Sequence, residues 1–148
     1  MNLSPNFTLD EFVRSQEGTR RGIDNTPPQP VIDCLRDLCE KVLEPLRAAL
    51  GPVHISSGYR CLALNKAIGG SANSQHILGQ AADIEVPGHS LDEVFNWLAE
   101  NTPFDQIIRE FPPGGWVHVS YSRTRQRGTK LLASLQKGRT VYSPLDSA

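Results

Sequence analysis

Two histidines and an aspartate are the residues of this sequence best suited to hold a metal ion. His76 lies in a glycine-containing approach to a predicted strand over residues 81–86, and Asp83 lies within that strand. Side chains alternate along a strand, so Asp83 faces away from its apolar positions. His118 alternates in the same way within the predicted strand 116–121. The sequence therefore places three possible ligands on the polar faces of strands or at a strand entry.

Three such side chains would leave the fourth position of a tetrahedral zinc open to water, which is the arrangement of catalytic zinc sites. No cysteine lies near them, so a closed structural zinc site is disfavoured. The three cysteines, Cys34, Cys39 and Cys61, are interpreted as reduced thiols that act as small apolar side chains. Spacing alone also fits solvated side chains on a strand surface, and it leaves both interpretations open.

Several motifs in the same order resemble the D-Ala-D-Ala metallopeptidase superfamily. That group includes zinc D-Ala-D-Ala carboxypeptidases, phage endolysin peptidases and the zinc domain of hedgehog proteins. The resemblance extends from about Phe7 to Tyr142. The motifs that carry it are Arg21-Gly22-Ile23-Asp24-Asn25, Ser57-Gly58-Tyr59-Arg60, Asn65-x-x-x-Gly69-Gly70, Ser74-x-His76-x-x-Gly79-x-Ala81-x-Asp83, Phe104-Asp105-Gln106 and Trp116-x-His118-x-Ser120.

The resemblance implies a role for each matching residue. His76, Asp83 and His118 would be the ligands of Zn²⁺. Arg60 would bind the substrate and assist catalysis, since a guanidinium grips a carboxylate or carbonyl with forked donors. Ser74 would be a second substrate-binding residue, and its hydroxyl would also order the loop before His76. Arg60 can also be interpreted as a surface arginine that braces a loop.

The general base is less obvious. Relatives carry an acid a few residues before the second histidine, but here the turn 112–115 is Pro-Pro-Gly-Gly and has no ionisable side chain. Glu110 is the nearest acid before that turn. If the strands on either side pair as a hairpin, Glu110 can reach the attacking water and act as general base. A solvated strand-end glutamate is the alternative interpretation. Asp105 is a lesser candidate that we expect to make structural hydrogen bonds.

The function that the resemblance implies is zinc-dependent hydrolysis of a peptide bond in peptidoglycan stem peptides, by a D-Ala-D-Ala carboxypeptidase or an endolysin-type endopeptidase. The first alternative is a non-catalytic zinc-binding module of the same fold that binds a wall or protein partner. The missing acid just before His118 favours that alternative. A nucleic-acid-associated accessory protein is a third class.

Length and composition exclude several other classes. A chain of 148 residues predicts one domain, 1–148. The formal charge of −1 disfavours a nucleic-acid-binding protein, although the C-terminal segment is locally basic. No apolar run approaches the ~20 residues of a membrane helix, and the N-terminus has no signal-peptide pattern. We expect a monomer made in the cytoplasm, with no membrane or nucleic-acid partner, that acts on the cell wall after release.

The elements that must position these residues follow from periodicity and turn signals. Helices come first and strands later, which favours an α+β fold. We expect a small antiparallel sheet of about four strands, with helices on one side and a zinc cleft on the other. Residues 15–30 are predicted to be extended and irregular, and Pro45 is predicted to kink the amphipathic helix 31–50. Capping boxes are predicted at 8–11 and 90–93. The predicted strands are 53–56, 81–86, 104–111, 116–121 and a last short one near 140–142.

Overall fold

A six-stranded mixed sheet forms the centre of the computed structural model, which describes residues 1–145. Together with the helices it makes an α+β fold, as the sequence predicts. A separate two-stranded ribbon, β1 (Asn2–Ser4) and β2 (Phe7–Thr8), lies at the N-terminus. The main sheet has the spatial order β3-β4-β6-β5-β7-β8. Its strands are β3 (His54–Ser57), β4 (Ala81–Glu85), β5 (Gln106–Glu110), β6 (Trp116–Ser120), β7 (Thr129–Gln136) and β8 (Arg139–Pro144).

The prediction of about four antiparallel strands is wrong in number and in direction. The sheet has six strands, and β7 runs parallel to β5 while every other neighbouring pair is antiparallel. The error arises in the C-terminal segment, where β7 has no alternation of apolar and polar residues: Leu131, Leu132 and Ala133 are consecutive. The predicted strand at 140–142 is the middle of β8, which pairs with β7 as a hairpin.

The helices were predicted more closely than the C-terminal strands. The segment predicted to be irregular contains α2, whose N-cap Ser15 accepts a hydrogen bond from the Gly18 N–H at 3.1 Å. The sequence prediction missed this cap, although serine is a preferred N-cap residue. The helices are α1 (Leu9–Val13), α2 (Gln16–Arg21), α3 (Gln29–Leu38), α4 (Glu44–Leu50), α5 (Leu62–Ala67) and α6 (Leu91–Asn101).

A π-helical segment, Cys39–Leu43, joins α3 to α4 just before Pro45, where the sequence predicts a kink. Proline has no N–H to donate to the preceding turn, and a widened turn just before it accommodates that loss. The capping box at Thr8 is present, because Glu11 accepts from the Thr8 N–H at 2.7 Å. The second predicted box is incomplete: Ser90 caps α6, but Glu93 pairs with His89 instead.

One face of the sheet packs on the helices and the other stays open. Apolar side chains of β4, β5 and β6 join those of α3, α4 and α6 in a single core. Ile84, Ile107 and Val119 are fully buried within it. The alternate positions of the same strands face the opposite side, where His118 and Ile108 line a pocket. Among the described residues, no helix is both long and apolar enough to cross a membrane.

Candidate metal centre

Three separate elements bring the predicted ligands together. His76 lies on a short 3-10 helix, Gln75–Leu78, just before β4. Asp83 lies in the middle of β4 and pairs directly with His118 on β6, so their side chains share one face of the sheet. All three residues are buried, between 2% and 9% exposed. The structure thus groups the three residues that sequence analysis selected.

The distances within this cluster suit a tetrahedral ion. Asp83 Oδ1 lies 3.4 Å from His76 Nε2 and 3.2 Å from His118 Nδ1. One candidate ligand atom from each residue lies within 4.8 Å of the other two. Two atoms bound to zinc at about 2.0–2.1 Å at the tetrahedral angle lie roughly 3.3–3.4 Å apart. The two short contacts have the length of an edge of that tetrahedron.

A hydrogen bond to the backbone orients the first ligand. His76 Nδ1 lies 2.7 Å from the carbonyl oxygen of Gly58, so it carries the proton and donates it there. In the neutral ring, Nε2 is then unprotonated and available as a ligand, an arrangement common in metal sites. Burial alone would raise the pKa of Asp83, but the neighbouring rings of His76 and His118 hold it well below its ordinary value. The donor set therefore fits a divalent metal.

Glu110 lies beside the cluster on the same face of the sheet. It is paired with Trp116 across the β5–β6 hairpin, two positions along the strands from the Ile108–His118 pair. It lines the same pocket of about 780 Å³ as the three candidate ligands. Burial, followed by the charge of Asp83, raises the pKa of the Glu110 carboxyl. The geometry predicted for the hairpin is the one observed.

Arg60 reaches this pocket from the loop after β3. Its backbone N–H donates to the carbonyl of His76 at 3.2 Å, which ties the loop to the metal cluster. Its Nε is buried and has no hydrogen-bond partner among the described residues. Burial lowers the pKa of the guanidinium, and the charges of Asp83 and Glu110 act in the opposite direction. A loop-bracing arginine would have its donors satisfied, so an unpaired donor at a pocket favours a ligand-binding role.

Ser74 and Asp105 have mainly structural contacts. The Ser74 hydroxyl accepts from the His76 N–H at 3.2 Å and caps the short helix that carries this ligand. Ser74 also lines the pocket. Asp105 is fully buried and accepts hydrogen bonds from Gln75 and from Arg127, the latter at 2.7 and 2.9 Å. It is therefore committed to holding the loop before β7.

The two C-terminal strands also line this pocket, which the sequence did not predict. Leu131 of β7, Tyr142 of β8 and the preceding Arg125 all line it. The sequence predicts only a short strand near 140–142 in this locally basic segment. The short apolar run 131–133 is the local signal that could have indicated a strand.

Two buried histidines and an aspartate beside a pocket indicate the class of this site: a group that could hold a metal ion, carried by an α+β fold. Comparison with known families gives a narrower answer. The model of the family described as Peptidase M15 matches residues 5–120. The chain belongs to the Peptidase M15 family, which confirms the resemblance found in its motifs.

A curated relative supports the same assignment. The zinc D-Ala-D-Ala carboxypeptidase of Streptomyces albus G is 31% identical to this chain over 79 residues. The match covers 52% of this chain and 31% of the relative, so the chain spans less than a third of that protein. Both comparisons indicate a zinc peptidase family.

Proposed function

We propose that this protein is a zinc-dependent peptidase that hydrolyses a peptide bond in peptidoglycan stem peptides, as a D-Ala-D-Ala carboxypeptidase or an endolysin-type endopeptidase. The observation that carries the proposal is the grouping of His76, Asp83 and His118 beside a pocket that also contains Glu110 and Arg60. Family membership and the named relative support the peptide substrate.

His76, Asp83 and His118 would hold the metal. Zinc bound at such a site polarises a substrate carbonyl and lowers the pKa of water toward ~7. The Ser74 hydroxyl accepts from the backbone N–H of His76, and the Gly58 carbonyl accepts from Nδ1 of its ring. These two hydrogen bonds would hold the His76 backbone and ring in place.

Glu110 is the proposed general base. Its carboxylate would accept a proton from the attacking water and deliver it to the leaving amine. Its raised pKa lies closer to neutral pH, and a group with such a pKa can both accept and donate a proton during the reaction. Its half-buried position in the pocket supports this role.

Arg60 and Ser74 are the proposed substrate-binding residues. The unpaired Nε of Arg60 is suited to a peptide carbonyl or a terminal carboxylate, which a guanidinium binds through parallel hydrogen bonds. Ser74 lines the pocket near His76 and has a hydroxyl that can also donate to a substrate. Both residues line the same pocket as the proposed ligands.

We further propose that residues 1–148 form a single metallopeptidase domain that acts as a monomer on the cell wall, where its substrate lies. The single core shared by α3, α4, α6 and the sheet supports one domain. The non-catalytic module remains the alternative outcome, and it differs from the peptidase only in turnover.

The deciding experiment is a digest of purified sacculi by the zinc-loaded protein, with mass spectrometry of the released peptides. Wild type should release one type of stem-peptide fragment and carry one zinc per chain. His76→Ala and His118→Ala should lose both the metal and the activity. Zinc without turnover would replace the peptidase by the non-catalytic module, and a metal-free wild type after zinc-supplemented purification would reject both.

A further inference from the structure

Tyr142 lies on β8, the edge strand of the main sheet, beyond residues 5–120 that match the family. A row of directly paired residues connects it to the candidate site. Tyr142 is opposite Ala133, Ala133 is opposite Glu110, and Glu110 is opposite Trp116. Residues opposite each other in a sheet point to the same face, so the Tyr142 side chain lies on the face that carries the metal cluster.

The residue between Tyr142 and Glu110 leaves space for contact. Neighbouring strands are about 4.8 Å apart, so one strand separates these two residues by roughly 10 Å. Ala133 fills this interval with only a methyl group, and it is fully buried although Tyr142 beside it is 54% exposed. The tyrosine ring can thus lie over Ala133 toward the site, and it lines the same pocket as Glu110 and His118.

The phenol hydroxyl is a free donor at that wall. It makes no hydrogen bond to another residue of the described part of the chain, 1–145. Burial and then the charges of Glu110 and Asp83 raise the pKa of Tyr142, so the hydroxyl keeps its proton. A protonated phenol can donate to an oxygen acceptor, and a peptide has one at every carbonyl.

We propose that Tyr142 is a substrate-binding residue of this site, whose hydroxyl donates a hydrogen bond to a neutral carbonyl oxygen of the bound peptide. The β7–β8 hairpin is then a wall of the substrate pocket, supplied by the part of the chain that follows the family match. The inference rests on the proposed peptidase function.

The test compares Tyr142→Phe with Thr140→Val on a zinc-loaded enzyme and a soluble stem peptide. Thr140 lies two residues from Tyr142 on the same strand face, is exposed, and does not line the pocket. Each substitution removes one hydroxyl from β8. We expect Tyr142→Phe to lower kcat/KM by roughly threefold to tenfold, mainly through KM, as for one neutral hydrogen bond. Zinc content and Tm should not change, and Thr140→Val should behave as wild type.

Three outcomes would overturn the inference. Wild-type kinetics in Tyr142→Phe would remove the hydroxyl from substrate binding while the peptidase function stands. An equal loss in both variants would indicate a general effect on the hairpin. A wild type that neither cleaves nor binds stem peptides would reject the proposed function, and the role of Tyr142 with it.

Discussion

At the scale of single residues, one carboxylate oxygen organises the candidate centre. Asp83 Oδ1 lies within 3.4 Å of a ring nitrogen of each histidine, while the second nitrogen of His76 is held by a backbone carbonyl. An aspartate buried to this degree needs compensation, which the two imidazoles supply and a divalent cation would increase. Glu110 and Arg60 lie outside this cluster and line the pocket beside it.

Glu110→Gln tests the proposed base, because it keeps the shape of the side chain and removes its basicity. We expect zinc content and folding to be retained while kcat falls at least about a hundredfold, the low end of the usual effect. Steady-state kinetics with a stem peptide gives the measurement. Glu100→Gln, on α6, is the control and should leave kcat unchanged. Near wild-type turnover in Glu110→Gln would exclude Glu110 as the general base.

Arg60→Lys tests whether Arg60 binds the substrate through the parallel N–H donors of its guanidinium. A lysine keeps the charge but has no planar fork, and a hydrogen bond to a charged group contributes about 1.5–3 kcal/mol. We expect kcat/KM to fall roughly tenfold to a hundredfold at constant zinc content. Arg139→Lys at an exposed position of β8 serves as the matched control. Unchanged kinetics in the Arg60 variant would exclude this side chain from the site.

At the scale of elements, alternation along β4 and β6 was enough to predict which side chains face the pocket. The hairpin position of Glu110 also followed from the sequence, since a Pro-Pro-Gly-Gly turn joins its two strands. The side chains of the C-terminal hairpin were not predicted. Leu131 and Tyr142 lie far from the ligands along the chain, and only the pairing of β7 with β5 brings them near.

Gly79 ends the short helix of His76 and turns the chain into β4 with φ of +75°. A Cβ there would lie 2.7 Å from the Val31 carbonyl oxygen, whereas Gly138, with φ of +77°, has open space around it. Gly79→Ala should therefore destabilise the fold by more than Gly138→Ala, which carries only the backbone penalty of about 1–2 kcal/mol. Urea unfolding measures both. Equal losses would contradict a packing role for Gly79.

At the scale of the whole molecule, the parallel pairing of β5 with β7 was the feature least accessible to sequence reasoning. β6 ends and β7 begins at the same edge of the sheet, on either side of the start of β5, so the loop between them passes the end of β5 and no crossover helix is needed. Periodicity carries no information about which strand lies beside which. Asp105 holds this loop through hydrogen bonds from Arg127, which follows it by 22 residues in the sequence.

Asp105→Asn tests that attachment. Burial raises the pKa of Asp105, but hydrogen bonds from Arg127 and Gln75 outweigh it and lower the pKa overall. A lowered folded-state pKa stabilises the fold above the unfolded value near 3.9, and the contribution is lost as pH falls through the folded pKa. We expect Asp105→Asn to reduce the free energy of unfolding at pH 7 by about 1–2 kcal/mol, because it removes the charged acceptor of Arg127. The loss is no larger because the half-exposed Arg127 side chain can bind water instead.

The same variant should unfold with a weaker dependence on pH below 5, measured by urea unfolding at several pH values. Asp37→Asn removes the carboxylate partner of Arg123, which is largely exposed, and should cost at most about 1 kcal/mol. A pH profile of Asp105→Asn that parallels wild type would show that this carboxylate is not linked to folding.

The direct pairing of Asp83 with His118 makes the centre far more sensitive to a change in chain length than to most substitutions. Deleting one residue of β6 before His118 would shift the strand by one position and turn the imidazole into the helix-packed core. A valine would then take its place opposite Asp83. Length variation should therefore be tolerated in the β7–β8 turn and abolish metal binding in β6, a contrast that a deletion scan would reveal without any change of side-chain chemistry.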